Sequence, residues 1–305
     1  MATATRVARG LDRGGEWRRP GRLRRAGRLA LEHPLGLFGL IVLVAFVLLG
    51  LFGPALAPYD PRALRTGKPL TGPASGHPFG LNNLGQDVFS RILAGTRTTQ
   101  QISGAAVVIG GTLGSFIGVL SGFYGRWLDY ALQRSSEAFA AFPNLILYLM
   151  LTTAFGRGPK TIILSISIGG LFGGSRVLRA ATLVERSSVY IEAARALGCT
   201  ERRIFLRHII PNVLPLAVVL MSGLLGAAIL AESTLAFLGL GVAPGTPSWG
   251  IDTSGSNLNF ARLGHWNLVV FPGIAISLVV LGSNLLGDAL RDIWDPRLRG
   301  GRRRG

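Results

Sequence analysis

Six separate stretches, residues 35–52, 102–122, 138–155, 161–177, 213–231 and 268–287, come close to the roughly 20 apolar residues that a helix needs to cross a bilayer core. Hydrocarbon offers no partner for backbone N–H and C=O groups, so segments buried in lipid must be helical. The expected fold is therefore an all-α polytopic membrane protein of about six transmembrane helices. The fourth stretch is the weakest, because only residues 161–175 are uncharged and they contain four glycines; Leu178 and its neighbours must extend it. A five-span count is the alternative.

Charge is sparse but strongly sorted. Charged residues make up 15% of the chain, with 32 basic against 15 acidic groups and a formal net charge of +17. Such a balance could suggest nucleic acid, but its placement points to lipid headgroups instead. Nine arginines precede Glu32, seven basic residues fall between Arg176 and Arg207, and six follow Leu290, so the charge brackets the apolar spans. Placing the N-terminus in the cytoplasm leaves 24 basic residues inside and 8 outside, the direction that the orientation rule demands. Both termini are then cytoplasmic. The uncharged run 35–59 exceeds the roughly 7–15 residues of a signal-peptide core, so it reads as a retained span despite the small-residue triplet Ala55-Leu56-Ala57.

The resulting organisation is a basic cytoplasmic tail (1–34), a first span (35–52), an external loop (53–101), a core of five spans (102–290) containing a cytoplasmic loop (178–212), and a basic tail (291–305). The single cysteine, Cys199, forms no intramolecular disulfide, and four scattered histidines build no metal cage, so no metal site is expected. No phosphate-cradling G-x-x-x-x-G-K-[ST] loop occurs, nor a nucleophile, base and acid set, so no catalytic residue is expected in this chain.

Three features carry functional expectations. Ala106, Gly110, Gly114, Gly118 and Gly122 recur at every fourth position, a helix face without bulk that packs against another helix or lets helices slide. Pro143 and Pro272 should kink or begin their helices. Glu232 lies roughly 27 Å along a helix from Leu214, near the outer boundary; a carboxylate there either faces a water-filled pathway or a partner subunit, or pairs locally. Asn144, beside Pro143, is the other candidate pathway or gate residue. Glu137, Arg134, Arg176 and Arg179 at inner helix ends read as snorkelling groups or supports for the cytoplasmic loop. Trp249 reads as a membrane-interface anchor.

The cytoplasmic loop contains EAARALGCTERRIFLRHIIPNVLP, residues 192–215. Tyr190, Ala193, Ala194 and Leu197 fall at helical spacing and predict a short amphipathic helix with a small-residue face, with Glu192 and Arg195 on its wetter side. Gly198 suits a left-handed helix end and Thr200 the N-cap of the next helix, so a helix, a sharp turn and a second helix are expected. Arg202, Arg203 and Arg207 would help such a hairpin lie on lipid.

Glu192, Ala193 and Ala194, followed by Gly198 and then Pro211, resemble the EAA loop of ABC-importer permeases. His208 and Ile210 stand where that family commonly has an apolar pair. HPFGLNNLGQDVFSRILAGTR (77–97), AESTLAFLGLGVAPGTPSWG (231–250) and NLLGDALRDIWDPR (284–297) are similar to the second permease subunit of the dipeptide, oligopeptide and nickel importers. Asn82, Asn83 and Gln86 occupy positions where acidic or arginine residues are frequent. The resemblance covers residues 35–297 and implies a type I permease fold in the bacterial inner membrane. It implies an ATPase-coupling loop of Glu192, Ala193, Ala194, Arg195, Leu197, Gly198 and Pro211. It also implies a homologous permease, two cytoplasmic ATPases that bind ATP and Mg, and an external binding protein as partners. Cargo would be a di- or oligopeptide, with nickel or a modified peptide such as glutathione as alternatives. An ion-coupled secondary transporter would instead need an inverted repeat and mid-depth carboxylates, neither of which is evident; a non-transporting scaffold would make the 192–211 motif accidental.

Overall fold

Pro34 opens the first long helix, where its fixed φ suits a first turn and its missing N–H costs nothing. The computed structural model describes residues 33–243 and 245–294, except the side chain of Leu128. The tails read from sequence as 1–34 and 291–305 lie mostly outside the described residues. Along the chain run α1 (Pro34–Leu56), α2 (Val88–Tyr124), α3 (Arg126–Ala140), α4 (Asn144–Phe155), α5 (Pro159–Arg186), α6 (Val189–Ala196), α7 (Glu201–Phe237), α8 (Trp249–Asp252), α9 (Gly255–Arg262) and α10 (Asn267–Trp294). Among the described residues the only β pairing is two isolated bridges in the segment before α2.

Five of these helices, α1, α2, α5, α7 and α10, are long and apolar enough to cross a membrane. The third apolar stretch is not one continuous span. Its chain breaks between α3 and α4 with a bend of 88°, so the sixth crossing is a broken span or a re-entrant turn. Pro143 is the cause: it donates no hydrogen bond, it disfavours helical backbone at Phe142, and α4 starts afresh at Asn144. The fourth stretch, the weakest by sequence, is a full helix of 28 residues. Its charged extension beyond Val177 continues the helix to Arg186.

Residues 88–101, assigned by sequence to the loop 53–101, are the first turns of α2. The Asp87 carboxylate caps them by accepting from Ser90 N at 2.8 Å, and Ile92, Leu93, Thr96 and Thr99 bury against the rest of the chain. Both α2 and α7 contain one widened π-helical turn, at Val107–Gly111 and Phe205–Ile209. The second ends two residues before Pro211, which cannot continue the regular ladder.

The bundle has a loop end, holding residues 57–87 and 239–266, and a hairpin end, holding residues 187–200. One long seam of close backbone contacts joins α2 to α5. A Cβ built at Gly110 would lie 2.5 Å from Ser167 O and one at Gly114 2.6 Å from Leu171 O; Gly118 meets Ser175 O in the same way, and Gly122 would come 2.7 Å from Arg179 O. Both helices therefore contribute every fourth residue to one seam. A second close approach joins α1 to α10, where a Cβ at Gly39 would lie 2.5 Å from Gly282 O. Pro272 sits inside α10 rather than at its first residue.

Gly114→Leu should destabilise the bundle by about 1–3 kcal/mol or more through overpacking of this seam. Gly104→Ala on the same helix, where an added methyl meets nothing within 4 Å, should change stability by no more than about 1 kcal/mol. Thermal unfolding of both variants in one detergent compares the two.

Candidate functional site

Ser188 begins α6, Gly198 ends the segment at φ +80°, and Thr200 caps α7 by accepting from Arg203 N at 3.4 Å. The result is a helix, a sharp left-handed turn and a second helix. Arg195 Nε donates to Glu201 Oε1 at 2.9 Å across the turn, closing the hairpin. Asn212 Nδ2 on α7 donates to Glu185 Oε1 and to Tyr190 Oη, each at 2.8 Å, and the Tyr190 hydroxyl donates to Glu185, so α5, α6 and α7 meet in one polar knot. Burial, and then the adjacent Glu185 carboxylate, push the Tyr190 hydroxyl up from its ordinary range.

Apolar anchors complete the mounting. Ile191 and Ile204 are fully buried, with Val119, Phe123, Leu178, Phe205, Ile209 and Val213 around them. Sequence spacing had grouped Tyr190, Ala193, Ala194 and Leu197 on one apolar face; the structure divides that face. Ala194 packs against the core beside Ile191, which the pattern missed, whereas Tyr190, Ala193 and Leu197 are exposed, Leu197 at 85%. Val189 is 81% exposed. Glu192, Gly198 and Pro211 are exposed, and Arg195 is half-buried.

At the opposite end, polar groups are buried and mostly paired, although Glu232 Oε2, Ser233 Oγ and Asp252 Oδ2 have no hydrogen-bond partner among the described residues. Arg91 donates to Asp252 Oδ1 from Nε at 2.8 Å and from Nη2 at 2.6 Å, and its Nη1 reaches Gln86 Oε1 at 3.0 Å. Asn82 Nδ2 in turn donates to Gln86 Oε1 at 2.9 Å. Burial pushes the Asp252 carboxyl up, with the Arg91 guanidinium opposing it. Glu232 is fully buried here and accepts from Ser248 Oγ at 2.6 Å. It thus pairs with the Ser248–Asp252 segment of its own chain through Oε1, while Oε2 is buried without a partner among the described residues. Trp249 is likewise interior, not at a membrane interface: its Nε1 donates to Ile92 O at 3.1 Å and its ring lies 5.5 Å from that of Phe46.

Asn144, the first residue of α4, is exposed on a cleft of about 380 Å³ between the α3–α4 break and α5. Ser136, Phe139, Phe172 and Arg176 also line it. Arg134 pairs with Glu137 on the exposed side of α3, and Arg179 pairs with Asp129, as expected for groups that brace helix ends. Arg176 does not follow them.

Residues 114–300 match the family model of the binding-protein-dependent transport system inner membrane component, and residues 22–73 match the N-terminal TM domain of oligopeptide transport permease C. The chain belongs to the binding-protein-dependent permease family. It is 34% identical over 276 residues to the dipeptide transport system permease protein DppC of Alkalihalophilus pseudofirmus, covering 90% of each chain. It is also 34% identical to the glutathione transport system permease protein GsiD of Pectobacterium atrosepticum, over 89% of this chain and 90% of that one. GsiD of Escherichia coli gives the same identity over 90% and 89%.

In this permease the charged hairpin and the paired loop end are separate units at opposite poles of one bundle. Metal-ligating clusters of three or more His, Cys, Asp or Glu are absent among the described residues. Arg91→Ala should destabilise the permease by about 3–5 kcal/mol, because it strands Asp252 in a buried site. An Arg91→Met/Asp252→Leu double variant should recover most of that loss in the same thermal unfolding assay.

Proposed function

We propose that this permease is the C-type membrane subunit of an ATP-driven peptide importer in a bacterial inner membrane, with both termini in the cytoplasm. It would form half of a translocation pathway beside a homologous permease, take di- or oligopeptides from an external binding protein, and be driven by two ATPase subunits that carry the ATP and Mg. The observation that supports this most is the mounting of the hairpin. Ile191 and Ile204 fix its inner face to α2, α5 and α7, while Val189, Ala193 and Leu197 stand out from it. Small and apolar residues presented on a fixed support suit a docked protein surface better than they suit water.

Force applied to that knob passes into α7 and, through the α2–α5 seam, into the bundle. ATP binding would draw the ATPases together and tilt the spans so that the pathway opens outward; hydrolysis would reset it. Such a cycle requires two discrete packings of the same helices, each favoured by one nucleotide state of the partner. The dipeptide and glutathione names of the relatives support a small peptide as cargo, glutathione being a modified peptide within the same chemistry. Ligand identified by mass spectrometry on the native binding protein decides between them.

Two substitutions test the coupling. Leu197→Asp places a charge on the exposed knob, and Gly198→Val forces a branched side chain to φ +80°, at about 1–2 kcal/mol of local strain. Nothing lies within 4 Å of the Gly198 Cβ position, so steric conflict with the rest of the permease does not enter. Both variants should insert normally, yet lose ATPase copurification or lower peptide uptake at least roughly tenfold. Wild-type uptake in both would remove the hairpin from the coupling path.

A further inference from the structure

The cleft between α5 and the α3–α4 break holds a cation that the bundle does not satisfy. Arg176 Nη2 is buried and has no hydrogen-bond acceptor, and no ion pair among the described residues involves Arg176. Its neighbours on the same helix differ: one turn on, Arg179 is held by Asp129. A guanidinium near the inner end of a span normally snorkels to water or is matched by a carboxylate or a backbone carbonyl, and the buried Nη2 of Arg176 has neither a carboxylate nor a carbonyl among the described residues. An orphaned donor there therefore marks a place where an acceptor comes from outside the chain.

Depth and lining indicate which acceptor. α4 spans 12 residues, about 18 Å of rise, so Asn144 and the cleft lie far from the loop end where cargo would enter and within the thickness of the bundle. The walls combine polar side chains, Ser136 and Asn144, with the stacked rings of Phe139 and Phe172, whose centroids are 4.2 Å apart. Gly173 adds open space, since a Cβ there would meet nothing within 4 Å. The first turn of α4 borders the same space and has no side-chain cap, so its amide dipoles add to the positive field. A volume of about 380 Å³ falls within the usual range for small-molecule sites.

We propose that this cleft is an anion subsite of the translocation pathway, in which Arg176 receives the C-terminal carboxylate of a peptide in transit while Ser136 and Asn144 flank it. The inference rests on the peptide reading given above. A guanidinium engages a carboxylate through two parallel N–H···O bonds, which supplies the missing acceptor and orients the cargo along the cleft. The binding is transient, because release on the far side requires the anion to leave again.

The test uses the full assembly of permeases, ATPases and binding protein in vesicles, with an unmodified dipeptide and its C-terminal amide each at saturating concentration. Arg176→Gln should lower uptake of the free acid roughly tenfold or more and leave uptake of the amide within about twofold, in keeping with the loss of a charged hydrogen bond. Arg176→Lys should restore most of the free-acid rate, which guards against simple misfolding. Equal losses for acid and amide would overturn the subsite. So would a loss seen only in vesicles containing anionic lipid, which would assign Arg176 to a headgroup phosphate, or failure of the variant to copurify with the second permease, which would assign it to a subunit contact. Wild-type uptake with an unaffected Arg176→Gln variant would sink the subsite alone, whereas absence of any peptide uptake by the wild type would remove the peptide reading and the subsite with it.

Discussion

The seam between α2 and α5 sets the geometry of the bundle. Lipid tails are as apolar as leucine side chains, so helices in a membrane gain little by burying greasy surface against one another. What holds them is close van der Waals contact, and that contact is densest where backbones touch. Gly110, Gly114, Gly118 and Gly122 bring the α2 backbone against Ser167, Leu171, Ser175 and Arg179 of α5, four contacts in register. The two helices consequently behave as one ribbed unit. Sliding by a single residue would drive side chains into carbonyl oxygens, so a motion along this seam is disfavoured and any rocking must occur around it.

Polar groups at the loop end obey a related constraint. Arg91, Asp252, Gln86, Asn82 and Asp87 are all buried, and all are hydrogen-bonded to one another or to backbone. In such surroundings an unpaired charge is costly, and a paired one fixes geometry more than it adds stability. Arg91 on α2 reaches Asp252 on α8, while Glu232 on α7 reaches Ser248 in the same segment. The short helix α8 is thereby clamped between two of the long helices. Trp249 adds a third tie, to α2 through its indole N–H and to α1 through Phe46.

Much of this was legible in the sequence because membrane folding leaves a strong one-dimensional trace. Long uncharged runs mark α1, α2, α7 and α10, and the four-residue glycine period marks one side of the seam. The period does not identify the other side: Ser167, Leu171, Ser175 and Arg179 share no composition, since they contribute backbone and not side chains. Window hydropathy marked the third and fourth stretches less sharply. Pro143, flagged as a kink or helix start, breaks the third apolar run with a bend of 88°, and the fourth extends past Leu178 as expected, the helix running on through the arginines of α5 to Arg186. Trp249 was displaced from its expected setting by a long-range partner, Ile92, and for Glu232 the pairing with Ser248 corresponds to the local-pairing alternative. Of the hairpin, the turn glycine and the cap were legible from residue type, but helical spacing could not say which half of the small-residue face the core would take. Arg176 resembled its neighbours in sequence; only the absence of an acceptor separates it from Arg179.

These constraints together limit where motion can arise in the permease. The hairpin cannot move independently of the bundle, because Ile191 and Ile204 lie in the same core as Phe123 of α2 and Leu178 of α5. The α2–α5 seam cannot shear. The loop end is clamped by buried pairs. What remains is the junction between α3 and α4, where the chain turns by 88° around Pro143 without a side-chain cap and with Phe142 exposed. A push on the hairpin carries α2, α5 and the base of α7 as a body, and α3 follows through the Asp129–Arg179 pair. Beyond the break at 141–143, α4 is held to α5 and the core by the buried Tyr148 and Thr152, so its first turn, with Asn144 to Ile146 exposed, is the part least tied to that body. The cleft holding Asn144 and Arg176 lies between the start of α4 and α5, so a change of angle at the break would change the width of that cleft.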